Sequence, residues 1–201
     1  MRDQDLKASA YLKKLSEIVL QTQVHGRVSE RMIRMSLDDG AQKGIDILIE
    51  AKSNAAKVMI IGNGGSAAIA SHMQNDLCDS GAMRAIVFNE APFLTAISND
   101  HGYENFFETA TGLWAQEGDV LIAISSSGRS KNILKAVEFC LAKGVKVITF
   151  SGFEERNPLR PLGHLNFYVA SREYGMVESA HALLGHFVTD GVMNARAVEV
   201  G

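Results

Sequence analysis

A chain of 201 residues can bury a full core in one domain, and with 46% apolar and 21% charged residues its composition is that of an ordinary globular protein. The formal charge of −3 gives no electrostatic reason to bind nucleic acid or a membrane surface. The polar start Met1-Arg2-Asp3-Gln4-Asp5-Leu6-Lys7 does not resemble a signal peptide, and no run approaches the ~18 apolar residues of a membrane span. The cysteines, Cys78 and Cys140, show neither metal-ligand spacing nor a disulfide framework, which fits a reducing cytosol. A cytoplasmic location is therefore expected, with neither nucleic acid nor membrane as a partner.

Residues 4–24 carry Leu6, Tyr11, Leu12, Leu15, Ile18 and Val19 at helical spacing. Residues 28–54 do the same with Val28, Met32, Ile33, Met35, Leu37, Ile45, Ile47, Leu48 and Ile49. Two helices ahead of any strand are more than the flank of one small sheet needs. Part of their apolar surface is expected to pack on another copy of the chain, the alternative being that both cover this chain's own sheet. Residues 1–54 then form an oligomerisation segment, and 55–201 the α/β core of a single domain.

From Lys57 onward strands alternate with helices. Strands are expected at 57–62, 84–89, 119–125, 144–151 and 165–170, and helices at 66–79, 103–115, 130–143 and 176–196. Asn99-Asp100-His101-Gly102-Tyr103 reads as a polar turn, and Phe153 to Pro161 as a loop before the last strand. This alternation implies a five-stranded parallel sheet covered on both faces, with its ligand at the carboxyl ends of the strands.

Two loops occupy that position. Gly62-Asn63-Gly64-Gly65-Ser66 follows the apolar run 57–61, and Ser125-Ser126-Ser127-Gly128-Arg129-Ser130 follows 119–124. A strand that ends in Gly and Ser and opens a helix makes an anion site, because N–H groups and hydroxyls point outward and the helix dipole favours negative charge. Asn63, Gly64, Gly65 and Ser66 from the first loop, and Ser125, Ser126, Ser127 and Ser130 from the second, are the candidate phosphate ligands. Neither loop is a Walker loop or a G-x-G-x-x-G fingerprint, so no nucleotide cofactor is expected. Asp100 can reach a sugar hydroxyl or can cap the helix that follows.

His72 and Asp76 are four apart on the helix opened by the first loop and share a face. On the last helix Glu178 and His181 share a face, and His186 lies about 80° round from Glu178. Two histidines and two carboxylates from two helices can bind a divalent metal (His72, Asp76, Glu178 and His186) or act as acid and base. Asp76 is the first choice of base, Glu178 the next, and His186 the acid.

At these residues the chain resembles the SIS (sugar isomerase) domain family, in particular its phosphoheptose isomerases. The resemblance rests on both loops, His72, Asn99-Asp100, His181 and His186, and covers nearly the whole chain. It implies a flavodoxin-like three-layer αβα sandwich in a homotetramer with sites at subunit interfaces. It also implies phosphate held by Ser66, Ser125, Ser127 and Ser130, and a zinc site with an acid–base pair drawn from the two helices. Where the family has His-x3-Glu, this chain has His72 and Asp76. Where the family's last helix has Arg-Ile-Gln-Glu-x-His-x4-His, this chain has Met176, Val177, Glu178, Ser179, His181 and His186, and the aspartate that precedes that motif is replaced by Gly175. The implied activity is aldose–ketose isomerisation of a sugar phosphate such as sedoheptulose 7-phosphate, feeding surface-polysaccharide or lipopolysaccharide synthesis. The rival reading is a non-catalytic SIS protein that binds phosphosugars, or partners a replication initiator.

Overall fold

The computed structural model describes residues 7–29 and 31–200, the side chains of 196–200 excepted. Residues 4–6 of the first expected helix, Leu6 among them, lie outside the described residues.

The strand Val120–Ser125 (β5) is buried along its whole length. Val120, Ile122 and Ile124 point into one apolar layer, and Leu121 and Ala123 into the other. That alternation is what a strand covered on both faces requires. Around it lie Lys57–Gly62 (β3), Arg84–Val87 (β4), Lys146–Gly152 (β6) and Leu165–Val169 (β7), all parallel, in the spatial order β7-β6-β5-β3-β4. Helices Leu37–Ser53 (α2), Gly65–Asp79 (α3) and Tyr174–Val200 (α7) cover one face through Ile45, Leu48, Met73, Leu77, Leu184 and Val188. Helices Phe106–Trp114 (α5) and Lys131–Ala142 (α6) cover the other through Phe106, Phe107, Ile133 and Val137. This is the three-layer αβα sandwich expected from the sequence.

A buried carboxylate sets the register of the two central strands. Asp119 is 2% exposed. It accepts from the backbone N–H of Lys57 (2.9 Å) and of Gln116 (2.8 Å) and pairs with Lys57 Nζ at 2.6 Å. A carboxylate this deep is tolerated only with such partners. It ties the starts of β3 and β5 together, so that Gly62 ends opposite Ile124 and both Gly/Ser loops leave the sheet side by side.

The expected helix at 28–54 is corrected. Helix Ala8–Leu20 (α1) is followed by an antiparallel hairpin, Gln23–Val28 (β1) and Arg31–Met35 (β2), and only then by α2. β1 pairs antiparallel with β7, so the parallel sheet becomes the inner part of a seven-stranded one. The reason is tertiary. The outer edge of β7 offers a row of unpaired backbone groups, and pairing them outweighs a helical periodicity that spans few turns. Val24 and Gly26 are buried while their neighbours are not, the alternation of a half-buried strand.

A second correction concerns Ala91–His101 (α4), which is a helix with Pro92 at its start, where proline's fixed φ suits a first turn. The expected polar turn is the last turn of this helix, ended by Gly102 at φ +84°. The expected helix at 103–115 is a short 3-10 turn followed by α5. No helix among the described residues is long and apolar enough to cross a membrane.

Candidate functional site

The two Gly/Ser loops form the walls of one cavity of about 120 Å³, reached by Asn63, Ser66, Ser125, Ser126, Ser127 and Ser130, with Tyr174 and Glu178 of α7 on the opposite side. Ser66 lies in the first turn of α3 and is buried. Ser125 Oγ accepts from the N–H of Gly128 at 3.2 Å and lies 3.4 Å from Ser130 Oγ, and Ser127 Oγ accepts from the N–H of Arg129. Gly128 has φ +61°, and a Cβ there would stand 2.1 Å from Asn157 Oδ1, so only glycine lets the loop turn against the 153–163 segment. Ser126 lines the cavity, and its Oγ is buried with no hydrogen-bond partner among the described residues. Hydroxyls and N–H groups converging at the start of a helix suit a phosphate.

The loops are held at fixed separation by Asn63, a candidate phosphate ligand whose amide is instead engaged by two side chains that sequence reasoning missed, Asn132 and Tyr103. Asn63 and Asn132 exchange a reciprocal pair of amide hydrogen bonds at 3.0 and 2.9 Å, and Tyr103 donates to Asn63 Oδ1. Asn132 sits in the first turn of α6, so the pair bridges the two helix starts. The signal was an asparagine two residues past the last serine, a position that reads equally well as solvent-exposed. Gly64 forms the turn at φ +55° and does not reach the cavity, and Gly65 begins α3. Asp100 lies exposed at the end of α4, accepts from Asn99 Nδ2 at 3.1 Å and does not reach the cavity.

A second group forms farther along α3 and α7. His72, Asp76 and His186 each offer a ligand atom, all within 4.8 Å of one another. His72 Nε2 is 3.6 Å from Asp76 Oδ1, His186 Nδ1 is 3.4 Å from Asp76 Oδ2, and the two rings meet edge to face at 4.6 Å. The buried Thr189 hydroxyl lies 3.3 Å from Asp76 Oδ2, a contact that sequence reasoning did not foresee. The carboxylate is mostly covered, while the imidazoles face a separate apolar-walled cavity lined by Ile69, Met73 and Ala182.

Glu178 is not brought to this group. It lies eight residues before His186 on α7, ~12 Å along the helix, and its carboxylate rests over Gly65 in the phosphate cavity. His181, between them, faces inward. Its Nε2 is 3.1 Å from Ser151 O, its Nδ1 has no partner, and burial lowers its pKa to about 4, against a smaller opposing effect of the Ser151 hydrogen bond. It is a neutral core histidine.

A larger cavity, about 370 Å³, lies elsewhere, between the β1–β2 hairpin and the 153–163 loop. One of its polar groups, Arg160, is already occupied by Gln23 Oε1, the Glu155 carbonyl and the Tyr168 ring. Size alone does not make it the site, since convergent free donors lie in the smaller cavity.

The SIS-domain family matches residues 25–152, a stretch that runs from β1 to the end of β6 and includes both loops. The chain belongs to the SIS-domain family. Among the relatives of this SIS-domain protein, the phosphoheptose isomerase of Helicobacter pylori is 34% identical over 161 residues, covering 77% of this chain and 83% of that protein. Phosphoheptose isomerase 2 of Campylobacter jejuni is 37% identical over 147 residues, 70% of this chain and 73% of that one. The solved phosphoheptose isomerase from Francisella tularensis shares the fold, with a TM-score of 0.78 over 92% of this chain and 95% of that chain at 23% identity.

Proposed function

We propose that this SIS-domain protein is a phosphosugar isomerase that interconverts the ketose and aldose forms of a seven-carbon sugar phosphate through an enediol. The observation that carries this reading is the pairing of two unlike donor sets at the two ends of one helix pair. The phosphate cradle opens α3 at Gly65, and Asp76 lies eleven residues later, ~16 Å along the helix. An extended seven-carbon chain with a terminal phosphate spans only ~10 Å, given bonds of roughly 1.5 Å along a zigzag. In this reading the carboxylate that meets a ligand held in one chain's cradle is therefore supplied by a neighbouring copy in the homotetramer. The relatives named above, phosphoheptose isomerases, support the same substrate class.

The chemistry follows from the charges. Asp76 takes the proton next to the carbonyl, and His186, 3.4 Å away, moves a proton between the two substrate oxygens. His72 steadies the other carboxylate oxygen. Two imidazole nitrogens and a carboxylate oxygen within 4.8 Å are also a donor set that suits zinc, with manganese or iron as alternatives. When bound there, a metal would polarise the carbonyl or hydroxyls of the sugar. Metal analysis of the purified protein tests that part, with about one equivalent expected per chain.

Self-association into a homotetramer belongs to the same reading. α1 buries no residue fully, and Leu12 and Leu20 stand exposed on it, while Leu183 and Phe187 stand exposed on α7 beside His186. Light scattering that finds a monomer at micromolar concentration would remove this part. The activity is tested by proton exchange from D₂O at the carbon next to the carbonyl, followed by NMR with sedoheptulose 7-phosphate. Exchange supports the isomerase. Tight binding without exchange would favour a phosphosugar sensor.

A further inference from the structure

The phosphate cradle contains a negative charge of its own. A Cβ built on Gly65 would stand 2.4 Å from Glu178 Oε2 and 2.7 Å from Oε1, so the carboxylate is pressed over the first residue of α3, at the positive end of that helix. The same carboxylate lines the cavity with the serines, and no lysine or arginine among the described residues lines it. Ser126, in the wall of the same cavity, is 6% exposed and its hydroxyl has no partner among the described residues, a donor capacity that the protein leaves unused. A phosphate that enters therefore meets neutral donors, the starts of α3 and α6, and an anion a few ångströms away.

Two like charges at that distance, partly screened by water, repel strongly enough to weaken binding by an order of magnitude or more. The same carboxylate is a strong acceptor for a hydroxyl. A ligand that carries a hydroxyl next to its phosphate gains a hydrogen bond that offsets the repulsion, and a ligand without one does not.

We propose that Glu178 is a specificity-determining residue that makes occupation of the cradle conditional on a ligand hydroxyl beside the phosphate. Polyhydroxylated sugar phosphates are admitted, while inorganic phosphate and alkyl phosphates are held off by a repulsive element built into the site. The inference rests on the phosphate-cradle reading above and adds the selectivity to it.

Calorimetry on the full chain tests it, with inorganic phosphate, butyl phosphate and sedoheptulose 7-phosphate as probes, and weak binders read by competition. In Glu178→Gln, inorganic phosphate and butyl phosphate are expected to bind about tenfold tighter, and sedoheptulose 7-phosphate to change less than about threefold, so that selectivity collapses. Glu178→Asp, which draws the carboxylate back by one methylene, should move the same way by less and serves if the glutamine variant misfolds. Unchanged or weaker binding of inorganic phosphate in a folded variant overturns the proposal. Ser127→Ala separates the two readings. If it weakens all three probes while Glu178→Gln alters none, only this inference fails. If it weakens none, the cradle reading fails and the inference with it.

Discussion

The two ends of the α3–α7 pair are built from different materials. At one end a ligand is met by backbone N–H groups and serine hydroxyls, all from two contiguous loops held together by Asn63 and Asn132. At the other, three titratable side chains from two helices meet around one carboxylate. The first can bind an anion but has no base suited to proton transfer except the misplaced Glu178. The second can move protons but has little to hold a substrate. Binding and chemistry are thus spatially separated, and substitutions at the two ends should affect different kinetic parameters.

The largest effect is expected at the chemical end. Asp76→Asn keeps the shape of the group and removes its base. Turnover should fall ~10²–10⁴-fold while the affinity for sedoheptulose 7-phosphate stays nearly unchanged. Deuterium exchange and calorimetry on the same preparation give both quantities. A loss of affinity equal to the loss of turnover would mean that the two ends are not separable.

The same contrast explains what was legible in the sequence. The cradle is local: each loop follows its own apolar strand, and Gly and Ser at that junction have few other uses. The parallel core was legible because β5 and its neighbours are apolar on both faces. The chemical group was only half legible. The spacing of His72 and Asp76 placed them on one face, but whether Glu178 or His186 would meet them depended on where α7 sits along α3. Parallel packing sets Glu178 against Gly65 and His186 against Asp76. The β1–β2 hairpin was not legible, because its residues suit a helix as well as a strand, and only the free edge of β7 decides between them. Thr189 gave no signal, since a threonine on a helix is ordinary until its partner is known.

Between the two ends lies His181, which ties α7 to β6 through Ser151 O. Its pKa is lowered to about 4 by burial, while the unfolded chain titrates near 6.5. The unfolded state therefore takes up the proton first as pH falls. The stability held above pH ~6.5 is lost progressively down to pH ~4, by up to ~3 kcal/mol from this group, a factor of roughly a hundred in the folding constant. Urea titrations of wild type and His181→Gln at pH 7.5, 5.5 and 4.5 check this. The variant should lose stability less steeply over that range, and parallel slopes would show that His181 is not the group responsible. A smaller effect is expected at the binding end. Ser126→Ala deletes a buried donor and should weaken sedoheptulose 7-phosphate about 10- to 100-fold, the range of a charge-assisted hydrogen bond, with kcat within about threefold. A fall in kcat with unchanged KM would reverse the assignment of the two ends.

The smallest effect tests how Asp76 is aimed. The Thr189 hydroxyl lies 3.3 Å from Asp76 Oδ2 and 3.1 Å from the backbone carbonyl of His186, and it has one proton to give. If the proton goes to the carboxylate, it fixes the rotamer that keeps Oδ2 toward His186. If it goes to the carbonyl, the hydroxyl and the carboxylate merely tolerate each other. The carboxylate carries the charge and makes the stronger bond, so the first arrangement is expected. Thr189 is fully buried, and valine replaces the hydroxyl with a methyl of similar volume, which isolates the hydrogen bond from the packing. Thr189→Val should therefore lower kcat about three- to tenfold with KM unchanged. Active-site titration separates aiming from simple destabilisation, which would lower the amount of active protein but not the turnover of each active chain. A kcat within twofold of wild type would place the proton on the His186 carbonyl and leave the orientation of Asp76 to the two imidazoles alone.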